Sequence, residues 1–129
     1  LSDAIVSALL AANEAFYDAF DTGDAGAMAA LWAKQHPVAC VHPGAPPMFG
    51  RREVVESWVA ILGNLGRPAI QCQDPQAIPF DQGGEQPYKS GIVVCQEVLA
   101  GGTLLATNAF VTEDGIWRMV HHHASPLNR

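Results

Sequence analysis

Two short glycine turns constrain this chain more than any other feature. Ala100-Gly101-Gly102 and Glu113-Asp114-Gly115 separate three runs, 90–99, 103–112 and 116–124, in which apolar and polar residues tend to alternate. Alternation sends successive side chains to opposite faces of a strand. A glycine-bearing break of a few residues is how one strand doubles back beside the next. Consecutive hairpins build an antiparallel meander. A further strand is expected over 69–78, an exposed turn with two glycines over 81–87, and an end to the last strand at Pro126.

The first half of the chain has a different period. Ile5, Leu9, Ala12, Phe16, Ala19 and Phe20 recur at three- and four-residue steps. They predict one amphipathic helix, capped by Ser2 or Asp3 and ended by Thr22-Gly23, with Asn13, Glu14 and Asp18 off its buried stripe. Asp24 caps a second, shorter helix through Met28, Leu31 and Trp32. Pro37 stops it, and 38–41 reads as a short strand running into His42-Pro43-Gly44 and a Pro-rich loop over 45–50. A third helix spans 51–62, with Val54, Val55, Trp58, Ile61 and Leu62 on its apolar face and Gly63 as a left-handed cap. Three helices with an early strand, then a meander of about four strands, give an α+β domain spanning 1–129.

Composition excludes several function classes. The 129 residues include 7 Lys+Arg against 13 Asp+Glu, a net charge of −6, so a phosphate backbone would be repelled. Hydrophobic residues make up 49% and charged residues 16%, which rules out a disordered chain. The longest apolar stretch, near 25–33, is too short for a membrane span. Cys40, Cys72 and Cys95 lack CxxC spacing and read as buried reduced thiols. The first residues lack a basic leader region and read as a helix start, which makes a cytoplasmic location the expectation.

The ordered set Phe16-Tyr17-Asp18-Ala19-Phe20, Gly23-Asp24, Met28, Leu31-Trp32, Cys40-Val41-His42-Pro43-Gly44, Gly50-Arg51, Val54, Ser57-Trp58 and residues 115–126 resembles the SnoaL-like branch of the nuclear transport factor 2-like superfamily, which includes ketosteroid isomerase. The resemblance implies a cone-shaped α+β fold, with helices packed on a strongly curved antiparallel sheet. It also implies a pocket at the open end and a homodimer. The superfamily mixes enzymes, binding proteins and assembly modules, so fold alone does not choose among them.

Within that frame His42 stands at the strand end where the isomerases carry their proton-moving Asp, and an imidazole can act there as base or acid. The isomerases place an oxyanion-stabilising Tyr at the position held here by Phe16. Tyr17 is its neighbour, turned by about 100° along the helix. For a second donor, 104–111 offers only Thr107 and Asn108. In the last strand His121 and His123 share a face with Trp117 and Met119, and His122 points the other way with Val120. Two same-face imidazoles about 7 Å apart could share a metal. A metal needs more ligands, for which the sequence offers His42 as a third and Glu97 or Asp18 only remotely, so no metal site is expected, and the run reads as pocket lining or dimer interface. Phe16, Trp32, Trp58, Trp117 and Asn108 are the expected ligand contacts. The expectation is a small, mostly apolar oxygenated ligand without a cofactor, and proton transfer by His42 helped by Tyr17, His121 or His123. The alternatives are a non-catalytic binder and a dimeric association module.

Overall fold

The computed structural model describes residues 2–80 and 87–128, so all but Pro87 of the turn expected over 81–87 lies outside the described residues. The chain runs α1 (Ser2–Thr22), α2 (Ala25–Leu31), β1 (Ala39–Val41), β2 (Met48–Phe49), α3 (Arg51–Leu62), β3 (Gln71–Pro79), β4 (Ser90–Leu99), β5 (Gly102–Glu113) and β6 (Ile116–Pro126). One six-stranded sheet has the order β2-β1-β6-β5-β4-β3. β4–β6 is the meander that the two glycine turns dictate, and β3 adds to it antiparallel to β4.

The sheet is not wholly antiparallel. β1 pairs with β6 in parallel, with Cys40 opposite His122. Hairpin turns fix the direction of consecutive strands only. β1 and β6 are joined through α3 and the whole meander, and such a long connection permits either direction. The Pro-rich loop also contributes a strand, since Met48 and Phe49 pair with Cys40 and Ala39.

Local chemistry explains most element ends. Asp24 accepts the Ala27 N–H at 3.0 Å and caps α2. The other end of α2 is closed by Arg51, whose guanidinium donates to Trp32 O at 2.6 Å and Ala29 O at 2.9 Å. An arginine in the first turn of α3 opposes that helix's own dipole, but here its charge sits on the carbonyl end of α2. His36 Nδ1–H donates to Glu113 Oε2 at 2.8 Å, and the same carboxylate takes the backbone N–H groups of Lys34 and Gln35. Burial raises the Glu113 pKa, but these donors outweigh it and hold the group down to about 2.

Two local expectations fail. Gly63 ends α3 in right-handed conformation (φ −75°), not as a left-handed cap. The chain continues there into a further turn, closed by Asn64 N–H to Ile61 O and Arg67 N–H to Asn64 O. Asn13, expected off the buried stripe of α1, is 2% exposed. The helix buries a wider arc than its apolar residues mark, because Asn13 and Tyr17 face polar partners on the sheet.

The helices lie on one face of the sheet. Between them sits the core of Leu9, Phe16, Phe20, Met28, Trp32, Val54, Trp58, Val93, Phe110 and Met119. Cys40 and Cys95 are buried, Cys72 is half-buried, and all three are free thiols. No helix among the described residues is long and apolar enough to cross a membrane.

Candidate functional site

A cavity of about 270 Å³ lies between α1, α3 and the concave face of the sheet. Phe16, Phe20, Trp58, Ile61, Leu99 and Leu104 form its apolar walls, and His42, Tyr17, Glu97 and His122 supply its polar groups. Trp58 is the hub. Its ring stands edge-on to Phe16 (5.3 Å between centroids), His42 (4.8 Å) and His122 (5.5 Å).

A hydrogen-bond chain underlies the cavity. Asn108 Nδ2 donates to Asn13 Oδ1 (2.8 Å) and to Tyr17 Oη (3.1 Å). Tyr17 donates its own proton to Glu97 Oε2 at 2.6 Å. The amide nitrogen of Asn108 is thereby spent, and its Oδ1, 2.6 Å from His122 Nδ1, must accept. His122 therefore carries its proton on Nδ1, and Nε2 bears the lone pair, 4.0 Å from Glu97 Oε2.

His42 is set in the same way from outside the cavity. Ser57 gives its hydroxyl proton to Val54 O at 2.7 Å, so its oxygen receives the His42 Nε2–H at 3.0 Å. That leaves Nδ1 as the basic nitrogen. Ser57 and Trp58 are adjacent on α3, so one helical turn both orients His42 and walls the cavity.

Burial decides the charge states. Desolvation lowers the His42 pKa, and it takes His122 down to about 3, with the nearby His42 adding to the effect. Both imidazoles are neutral at neutral pH. Desolvation raises the Glu97 pKa, against the opposing pull of the Tyr17 hydrogen bond. Tyr17 is raised as well, by burial first and then by the Glu97 charge beside it. The cavity thus pairs neutral bases with an acid shifted toward its protonated form.

The residues singled out from sequence are distributed unevenly. His42, Tyr17, Phe16 and Trp58 line the cavity, and Asn108 lies one hydrogen bond behind it. Trp32 is fully buried between α2 and β6, and Trp117 is half-buried against the core; neither lines the cavity. His121 and His123 lie on the outer face of the sheet, where His121 Nδ1 donates to Ala39 O at 3.0 Å. Met119, expected on their face, is fully buried with His122. The reason is a β-bulge: Phe110 opposes Met119 and Ala109 opposes His121, so Val120 has no partner and the alternation inverts beyond it.

From sequence Glu97 enters only as a remote metal ligand, not as a cavity residue. The signal was available, since it occupies the same parity as Val93 and Cys95, and a carboxylate in an inward apolar row requires a partner. Among the described residues no three His, Cys, Asp or Glu side chains gather closely enough to hold a metal ion.

Helices on a curved mixed sheet around a small apolar cavity with convergent polar groups define an α+β cone of the nuclear transport factor 2-like class. The chain belongs to the SnoaL-like domain family, whose model matches residues 9–129. It is 28% identical over its full length to a candidate dehydratase of the NTF2-like family from Streptomyces avermitilis, and each chain is wholly covered (TM-score 0.78). It is 34% identical to a candidate calcium/calmodulin-dependent protein kinase type II association domain from Thiobacillus denitrificans, covering 92% of this chain and 94% of that one (TM-score 0.64). Among curated proteins it is similar to the F-box protein SKIP8 of Arabidopsis thaliana, at 28% identity over 124 residues. The match covers 96% of this chain, which spans about half (52%) of the SKIP8 length.

Proposed function

We propose that this domain binds a small, mostly apolar molecule bearing a carbonyl oxygen and moves a proton on the carbon beside it. The observation that carries this reading is the pair of imidazoles on one indole ring, the half-buried His42 and the buried His122. Both are neutral, and both have tautomers fixed from outside the cavity. His42 Nδ1 takes the proton from carbon. Glu97, favoured in its acid form by burial, gives a proton to the carbonyl oxygen, so an enol forms with no net charge. A ligand with a hydroxyl on the next carbon can then lose water, which agrees with the similarity to a candidate dehydratase.

The test is deuterium uptake at the α-carbon of cyclohexanone in heavy water, followed by proton NMR. The protein should accelerate uptake over buffer, and His42→Ala and Glu97→Gln should each remove about 10²–10⁴-fold of that acceleration. Uptake at the buffer rate, or an undiminished rate in His42→Ala, would overturn the proposal.

Self-association is a second reading with an observation of its own. The helices cover only the inner face of the sheet. Ile92, Val94, Thr107, Ala109, His121 and His123 remain half-exposed or exposed on the outer face. We place a homodimer contact there, in line with the similarity to a candidate association domain. Sedimentation of the protein measures it directly, and a monomer at all concentrations would refute it.

A further inference from the structure

A second depression adjoins the cavity. It is an open groove of about 860 Å³ between α1, the start of β3 and the β4–β5 turn. Tyr17, Ile70 and Leu99 line both spaces and form their common wall. At about 270 Å³ the cavity falls below the range of about 300–1,000 Å³ usual for ligand pockets, so alone it accommodates little more than one ring. The groove adds polar and acidic groups to an apolar wall of Leu10, Ile70, Pro75, Val98 and Leu99. The buried Asn13 and half-buried Cys72 are among its lining, Gln71 is exposed along it, and Glu14, Asp18 and Asp21 project from the face of α1 that borders it.

We infer that the ligand is bipartite: an oxygenated apolar head fills the cavity, and an uncharged or cationic polar tail crosses the Tyr17–Ile70–Leu99 wall and lies in the groove. The inference rests on the reading of the cavity above and extends it to substrate class. Tyr17 suits the junction. Its proton is committed to Glu97 and its oxygen accepts from Asn108, so it offers the passing chain a ring surface and keeps its polar atom in the network. Among the described residues no Lys, Arg or His lines the groove. An anionic tail would meet the three carboxylates without compensation.

The experiment uses four probes: cyclohexanone, and cyclohexanone carrying a propyl tail ended by a hydroxyl, an ammonium or a carboxylate. Binding is measured by calorimetry, with the His122 ring NMR signals reporting whether the head is in the cavity. The hydroxyl and ammonium tails should tighten binding about tenfold over the bare ring, the gain that ordinary ligand efficiency gives to four added heavy atoms. The carboxylate tail should give no gain. Ala100→Trp and, independently, Gln71→Trp place bulk in the groove at exposed positions and should bring the tailed-to-bare ratio back toward one. Equal affinity for bare and tailed probes overturns the inference and leaves the cavity reading standing. So does a gain that survives in both variants while circular dichroism shows them folded. If no probe moves the His122 signals, the cavity reading itself fails and this inference fails with it.

Discussion

Replacing Glu97 with glutamine isolates the energetic cost of a carboxyl group where the cavity chemistry needs one. Glu97 is 3% exposed, and burial raises its pKa above the ordinary 4.5. A carboxyl whose folded pKa lies above its unfolded value leaves stability intact below the unfolded pKa and removes it as pH rises through the folded pKa. Glutamine keeps an oxygen to accept the Tyr17 proton and has no charge to desolvate. The stability difference, Glu97→Gln minus wild type, should therefore be flat below about pH 4.5. It should then grow by up to about 1.4 kcal/mol per pH unit and level off above the folded pKa. In a domain of this size each kcal/mol moves Tm by about 4 °C. His122, held down to about 3, titrates below this window in the folded state and contributes similarly to both proteins. Thermal unfolding followed by circular dichroism from about pH 4 to about pH 9 gives the curve, and its plateau reports the folded pKa of Glu97. A difference that stays flat across the range, or a variant that loses stability relative to wild type as pH rises, would refute the claim that this carboxyl is held at a desolvation cost. The expected gain in stability accompanies the expected loss of proton-transfer activity, the usual trade where a site carries a buried ionisable group.

Two adjacent arginines should behave differently. Arg51→Ala strips two carbonyls at the end of α2 of a charged donor and should cost about 1–3 kcal/mol in denaturant unfolding. Arg52→Ala loses only an exposed pair with Glu56 and should cost well under about 1 kcal/mol; equal losses would contradict the capping role of Arg51. On the outer sheet face, Thr107→Glu should convert the proposed homodimer to a monomer in sedimentation while leaving the far-ultraviolet spectrum unchanged, and a dimer that the substitution leaves intact would refute that contact.

The fold was legible in the sequence where short-range rules apply. The turns at 100–102 and 113–115, the cap at Asp24 and the apolar face of α3 each follow from a few neighbouring residues, and the structure places them as expected. What was not legible depends on residues distant in sequence. Nothing near 38–41 signals that β1 lies parallel to β6, because no turn joins them. Arg51 looks misplaced until the end of α2 comes to it from the preceding segment.

The candidate site divides along the same line. His42 and Trp58 could be picked out from a strand end and a helix face. Choosing the right histidine of the last strand required the bulge at Val120, which no composition rule marks; strict alternation had grouped Met119 with His121. One unpaired residue thus exchanges which imidazole enters the cavity. The outward pair is left against water and the Ala39 carbonyl, and His122 is brought to Asn108 and Trp58. Within the run itself the register is regular, and alternation separates the three histidines. Consecutive strand positions face opposite ways, so the run divides itself between two environments, and only the buried member has its tautomer fixed by a side chain that also holds Tyr17. Asn108 is therefore the residue through which β6 and α1 agree on proton positions, with its oxygen setting His122 and its nitrogen setting Tyr17. This follows from hydrogen-bond valence alone once the register is known, and cannot be reached without it.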